Sequence, residues 1–361
     1  MKNFLNKVII LILTIFIFNI QIFAATVNFR IEGTENTIIE KNTFGDTFIE
    51  TLQNLGEVYN IPIVISNENG NSIIYSINGI KNGDINKNSC WKGFLIRDNK
   101  IIEITDINKT LLNNDSVVIY YGNNDTLIPS LNYTKDSNNN LNINITTTYT
   151  EWSQVGENIH SENITKNING VSVHILSPSG VYSVLSTDEK GSVSIPLKEK
   201  GYYSFYGESY NKNSVPSMVK TDVIKYLNGF NNKNKYITRG EFACLVATYY
   251  GITGKSDIQF SDVSMDNQYS KYIYALASKG IMVGYGDGTF GINKKVTALE
   301  AAAILERVIN INITLNENIN VPYWAESGIA LMIQKGIYNK NMNFNSGIDI
   351  YTADKIIKTN I

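Results

Sequence analysis

Cysteine and histidine are nearly absent from this chain, with two of each among 361 residues. Cys90 and Cys244 lie far apart and in segments of different character. They are either a disulfide, which requires close Cα atoms, or two separate buried thiols. Neither His160 nor His174 has a partner at metal-ligand spacing or stands near a nucleophile motif, so a zinc site and a histidine-based triad are not expected. Paired-carboxylate motifs and a nucleophile elbow are missing as well. An excess of one charge is also lacking: 31 Lys and Arg face 33 Asp and Glu, and the net charge of −2 excludes the basic patch that nucleic acid demands. Beyond the N-terminal residues there is no apolar run long enough to span a bilayer. The expectation is a protein that is not an enzyme and uses no cofactor and no metal.

What is present begins with an N-terminal leader. Lys2 and Lys7 precede the apolar run "VIILILTIFIFNI", and "IFAAT" supplies small residues for cleavage near Ala24 or Ala25. This reads as a secretory signal peptide over 1–24; the competing reading is an uncleaved membrane anchor. With no cysteine after the apolar run, a lipid anchor is not expected; if the chain stays at a cell surface, something other than lipid must hold it. The length and 43% hydrophobic content fit two or three folded modules.

Residues 25–122 read as a small α/β module. Val27, Phe29 and Ile31 alternate as in a half-buried strand. Phe44, Phe48, Leu52 and Leu55 recur at helical spacing, with Asp46 as the cap and Gly56 as the stop. "IPIVIS" and "SIIYSINGI" are strands, and "CWKGFLIRDNKIIEI" is a hairpin around Asp98-Asn99. "SINGI", the Trp of "CWKGFLI" and "NNDSVVIYY" resemble the C-terminal domain of transcobalamin-type proteins, which implies a β-grasp-like fold. In some relatives that domain helps cover a corrinoid; the other reading of Trp91 is a core residue.

Residues 123–217 begin with a polar link and continue as short alternating strands separated by "SPSG" and "DEKG", the pattern of an all-β sandwich. They resemble the immunoglobulin-like or carboxypeptidase-regulatory domains of bacterial surface proteins, implying a spacer or adhesive module. Tyr202, Tyr203, Phe205, Tyr206 and Tyr210 are core and cross-strand residues on one reading and a sugar platform on another.

From 218 to 361 the pattern turns helical and repeats: 218–255 partial, 256–311 complete and 312–361 degenerate. Thr238, Thr297 and Thr352 align with a period of roughly 50 to 60 residues. Ile273 matches Ile329, and Lys279-Gly280-Ile281 matches Lys335-Gly336-Ile337. Thr238 with Glu241 and Thr297 with Glu300 form capping boxes. Gly286, Asp287 and Gly288 make a tight turn that lets Phe290 tuck against the helices. The helix N-termini, with free N–H groups, suit an anion. Arg239 is unexplained by capping: it opposes the macrodipole and offers a planar fork to a carboxylate, either a ligand's or none, as an ordinary surface Arg.

"FSDV", "YIYALASKGI", "GYGDGTF" and the Thr-x-x-Glu helix start resemble an S-layer homology repeat. That resemblance implies an all-α helical anchor that binds secondary cell-wall polysaccharide, acidic or pyruvylated, on a Gram-positive bacterium. Arg239 would be the principal polysaccharide contact, supported by Asp262, Asp287, Thr289 and Trp324. The Arg position is Ala298 and Ala353 in the later repeats, the capping Glu becomes Lys355, and the Trp position is Gln268 in the second. The expected protein is therefore secreted and wall-bound, with no nucleic-acid partner, a membrane contact only through an uncleaved leader, and cooperation with other such proteins open. The alternative is a secreted small-ligand-binding protein, for a corrinoid among others, with the repeats as scaffold only.

Overall fold

A period of two along the first strand organises the N-terminal unit: Phe29 and Ile31 point to one face, Arg30 and Glu32 to the other. A computed structural model describes residues 24–359 except 69, 156–157, 212, 231–235, 312 and 314–318. The expected signal peptide over 1–24 lies outside the described residues but for Ala24. The chain divides into two compact units: residues 24–128 with Ser209–Val219, and Pro129–Glu208 with Lys220 onward. These boundaries differ from those expected at 122/123 and 217/218. The segment from Ser209 returns to the first unit, where the Val219 N–H donates to the Leu127 carbonyl at 2.9 Å.

In the first unit, β1 (Ala25–Glu32) pairs antiparallel with β2 (Thr37–Gly45) and parallel with β8 (Ser116–Gly122). β6 (Cys90–Arg97) and β7 (Lys100–Glu103) extend this sheet beyond β8. A smaller sheet holds β3 (Ile63–Glu68), β4 (Asn71–Ile77) and β5 (Ile80–Lys81). Helix α1 (Phe48–Val58) lays Phe48, Leu52 and Leu55 against Phe29 and Ile31. Its cap is Thr47 rather than Asp46, and it runs through Gly56 to end before Asn60, whose φ is 54°. Phe44 is 66% exposed on β2, outside the helix. The β6–β7 turn places Asp98 and Asn99 both at positive φ, the form that suits strand twist. Trp91 is buried; its indole N–H donates to the Ile80 carbonyl, and its ring meets Tyr121 edge-on. The opposite face of β1 buries the Arg30–Glu32 ion pair at 2.9 Å.

The second unit combines a two-sheet sandwich with the helical repeats. One sheet orders β11 (Asn158–Asn167), β10 (Asn140–Val155) and β14 (Ser192–Pro196), with β9 (Pro129–Lys135) also on β10. The other orders β13 (Tyr182–Ser186), β12 (Ser172–Leu176), β15 (Gly201–Glu208) and β16 (Ile224–Asn228). Tyr202, Tyr203 and Phe205 are buried in β15, as core rather than platform. β9, read from sequence as a polar link, is a strand, and β16 carries the sheet past residue 217.

The helices are α2 (Arg239–Tyr250), α3 (Ser270–Ser278), α4 (Ala298–Ile309), α5 (Tyr323–Gln334) and α6 (Ile350–Ile357). Helix α2 packs on α3, α4 on α5, and both α2 and α4 on α6. The expected all-α repeat region is corrected. Extended bridges join Tyr236 to Asp349, Thr238 to Lys295 and Thr297 to Gly347, and long turn segments separate short helices. The physical reason is a closed ring of backbone hydrogen bonds. Ile237 N–H donates to Ile348 O (2.9 Å), Ile348 N–H to Val296 O (2.9 Å), and Val296 N–H to Ile237 O (3.0 Å). Each donor directly precedes a helix cap, so the repeats meet through backbone as well as through apolar faces. The ring also moves the third repeat's register: its cap is Asp349, accepting from the Thr352 N–H at 2.8 Å, and not Thr352.

Cys90 and Cys244 are free thiols. Burial pushes the Cys244 thiol up to about 12, which keeps it protonated and unreactive.

Candidate functional site

The site begins at the helix starts. Thr238 accepts from the Glu241 N–H at 3.2 Å while the Glu241 carboxylate accepts from the Thr238 N–H at 2.9 Å. Thr297 and Glu300 repeat the arrangement at 3.2 and 2.9 Å. The next donors are taken as well. Arg239 and Gly240 N–H groups donate to Lys294 and Ile292 carbonyls, and Ala298 and Leu299 donate to Ser346 and Phe344. Each helix start is thus closed by the loop of the following repeat. The anion site expected from free N–H groups at the starts of α2 and α4 is absent, because their own chain consumes those groups.

Arg239 is 4% exposed. Its Nε donates to the Phe290 carbonyl (2.9 Å), one terminal nitrogen to Glu300 (2.8 Å) and the other to the Val283 carbonyl (2.9 Å). The guanidinium lies 4.7 and 4.8 Å from the Tyr285 and Phe290 ring centroids. The carboxylate its fork was suited to is Glu300, from the next repeat.

Asp262 gathers the N–H groups of Phe290, Gly291 and Ile292 at 2.7, 2.7 and 3.0 Å. Desolvation works to raise its carboxyl, but these bonds outweigh it and hold it below the usual value. Asp287 accepts from the N–H and hydroxyl of Thr289, which closes the turn and lowers the carboxyl. Gly286 and Gly288 sit at φ 82° and 83°, which only glycine adopts without strain. Asp262, Asp287 and Thr289 therefore shape the loop that carries Tyr285 and Phe290.

Trp324 is different: its side chain is half-exposed and lines a cleft of about 390 Å³. Arg239, Tyr285, Glu300, Arg307 and Asn345 line the same cleft above an apolar floor that includes Leu299 and Ala303. The Tyr285 hydroxyl donates to Glu300 at 3.0 Å, and Arg307 donates to the Ile281 carbonyl at 3.2 Å. The structure brings Arg239 and Trp324 to one cleft; Asp262, Asp287 and Thr289 are not on its lining. Sequence reading missed Arg307, Tyr285 and Asn345. Tyr285 stood inside the "GYGDGTF" motif, whereas nothing local marks Arg307 or Asn345.

With that geometry in place, the comparison with known families is specific. Residues 259–302 match the S-layer homology domain. The S-layer homology domain thus spans Asp262, helix α3, the glycine turn and the capped start of α4, while Arg239, Arg307 and Trp324 lie outside it. The chain is also 29% identical over 156 residues to the "Surface-layer 125 kDa protein" of Lysinibacillus sphaericus. That alignment covers 40% of this chain and 13% of the relative, so the chain spans only a small part of that protein's length. Among the described residues, no group of three His, Cys, Asp or Glu is placed to hold a metal, and no helix is long and apolar enough to cross a membrane.

Proposed function

We propose that the chain is a secreted, non-enzymatic surface protein of a Gram-positive bacterium. It is held non-covalently on acidic or pyruvylated secondary cell-wall polysaccharide by its S-layer homology region. The N-terminal unit, with its transcobalamin-like sequence, is the displayed part, available as an interaction or spacer module. The observation that carries this reading is the cleft at the S-layer homology domain, whose lining includes both the half-exposed Trp324 and Arg307. An aromatic face beside a cation suits a sugar ring that bears an anionic substituent. The name of the Lysinibacillus relative supports a surface location.

The test is co-sedimentation of residues 25–361 with Gram-positive sacculi, before and after chemical removal of their polysaccharide. The expected result is pelleting with intact sacculi only. No pelleting with either would sink the anchor reading. Function would then move to the scaffold alternative, in which the N-terminal module captures a small ligand; a corrinoid would show as visible absorbance on co-purification.

A further inference from the structure

A cluster of titratable side chains lies on the sandwich, off the lining of the Trp324 cleft. Strands β13, β12 and β15 run antiparallel side by side, and His174 is paired with Val184 on one flank and Tyr206 on the other. Tyr182 stands opposite Leu176, and Glu208 opposite Ser172, each two residues from the His174 pairing. A period of two therefore puts Tyr182, His174 and Glu208 on one face, along a diagonal across three strands. Val173, Ile175 and Phe205, the alternate residues, are buried on the face turned to the core.

The diagonal is joined through the imidazole. His174 Nε2 lies 2.8 Å from a Glu208 carboxylate oxygen, and His174 Nδ1 hydrogen-bonds with the Tyr182 hydroxyl. The imidazole is stacked on the Tyr206 ring, with centroids 4.7 Å apart and planes parallel to within 1°, which fixes its orientation. An ionised carboxylate only accepts, so in the neutral imidazole Nε2 carries the proton. Nδ1 then presents a lone pair, and the Tyr182 hydroxyl donates to it. The imidazole and the carboxylate are largely covered, whereas Tyr182 is 58% exposed. The order is that of a nucleophile, a base and a group that orients the base.

We propose that Tyr182 is a modification site, a nucleophile that accepts an acyl group from an activated ester. His174 is its general base and Glu208 the positioning residue. The Tyr182 oxygen bonds to the acyl carbon while the hydroxyl proton passes to His174 Nδ1. The bond from that carbon to the leaving alkoxide or phenoxide breaks, and the leaving oxygen keeps the electron pair and takes the proton from Nδ1. Glu208 stabilises the imidazolium between the two transfers. The half-exposed Val184, two residues from Tyr182 on the same face, offers the acyl chain an apolar surface. The site is independent of the wall-anchor reading.

The experiment treats residues 25–361 with p-nitrophenyl acetate and follows the initial acetylation rate of each tyrosine by peptide mass spectrometry. Tyr323, 92% exposed, is the internal reference, since exposure alone would make it the faster of the two. Tyr182 should react about tenfold faster than Tyr323. His174→Gln should bring Tyr182 down to the rate of Tyr323 or below, with the thermal melt unchanged. Glu208→Asp keeps the charge and should retain more of the preference than Glu208→Gln, which keeps only the shape; a merely structural role would reverse that order. Tyr182 no faster than Tyr323, or an undiminished Tyr182 rate in His174→Gln, overturns the proposal. Glu208→Gln matching or exceeding Glu208→Asp removes Glu208 from it.

Discussion

Arg239 spends its charge inside the protein. It holds Glu300 and two loop carbonyls while lying between two aromatic rings. Its removal takes the donor from the Phe290 and Val283 carbonyls and the cation from Glu300, which keeps only its bonds from Tyr285 and Thr297, so Arg239→Ala should cost about 3 kcal/mol. Arg239→Lys should recover little, because one ammonium cannot reach three acceptors set in a plane. Thermal denaturation of both variants checks this; a melt near the native one for Arg239→Ala would contradict it. Asp262 gives the matching acid-side prediction. Its folded-state value is held below the unfolded value of about 3.9, so its contribution is present above that pH and lost as pH falls through the folded value. Asp262→Asn should be less stable at pH 7, and the gap to the native chain should close below about pH 4 in denaturant titrations at each pH. Sequence reasoning identified the chemistry of Arg239, a planar fork awaiting a carboxylate, but not the partner. Glu300 lies in another repeat, and a pairing that depends on how repeats meet leaves no local trace.

At the level of elements, the two capping boxes were legible because Thr-x-x-Glu satisfies orphan N–H groups within one turn. The third cap was misplaced because Thr352 matched in residue type, while Asp349 does the work through the backbone ring at Ile348. Asp349→Ala should therefore cost about 1 kcal/mol and Thr352→Ala far less, read as the difference in unfolding midpoint. Equal costs would restore the original register. β9 and β11 escaped notice because they show little apolar alternation: they are polar, and their pairing is set by β10. The all-α expectation failed for a related reason. Helical periodicity shows where helices are, and says nothing of the extended bridges that close their starts.

At the scale of the whole chain, the second unit joins what the sequence presents as two modules. Buried Tyr202 of β15 belongs to the same apolar cluster as α2, α4 and α6, and its hydroxyl donates to Asp354 of α6. Residues 220–361 alone would expose that surface. They should lose a cooperative calorimetric transition that residues 129–361 keep; a sharp transition in the shorter fragment would contradict the docking. The S-layer homology motif over 259–302 was readable in the sequence. The cleft was not, since it is lined by side chains from separate repeats. The most direct test of the account compares the native chain with Trp324→Ala in pelleting on polysaccharide-bearing sacculi, with a thermal melt of each. The account predicts weakened pelleting with an unchanged melt, because a half-exposed indole on a cleft wall is accessible to a ligand and holds little of the fold. Undiminished pelleting by Trp324→Ala would contradict it.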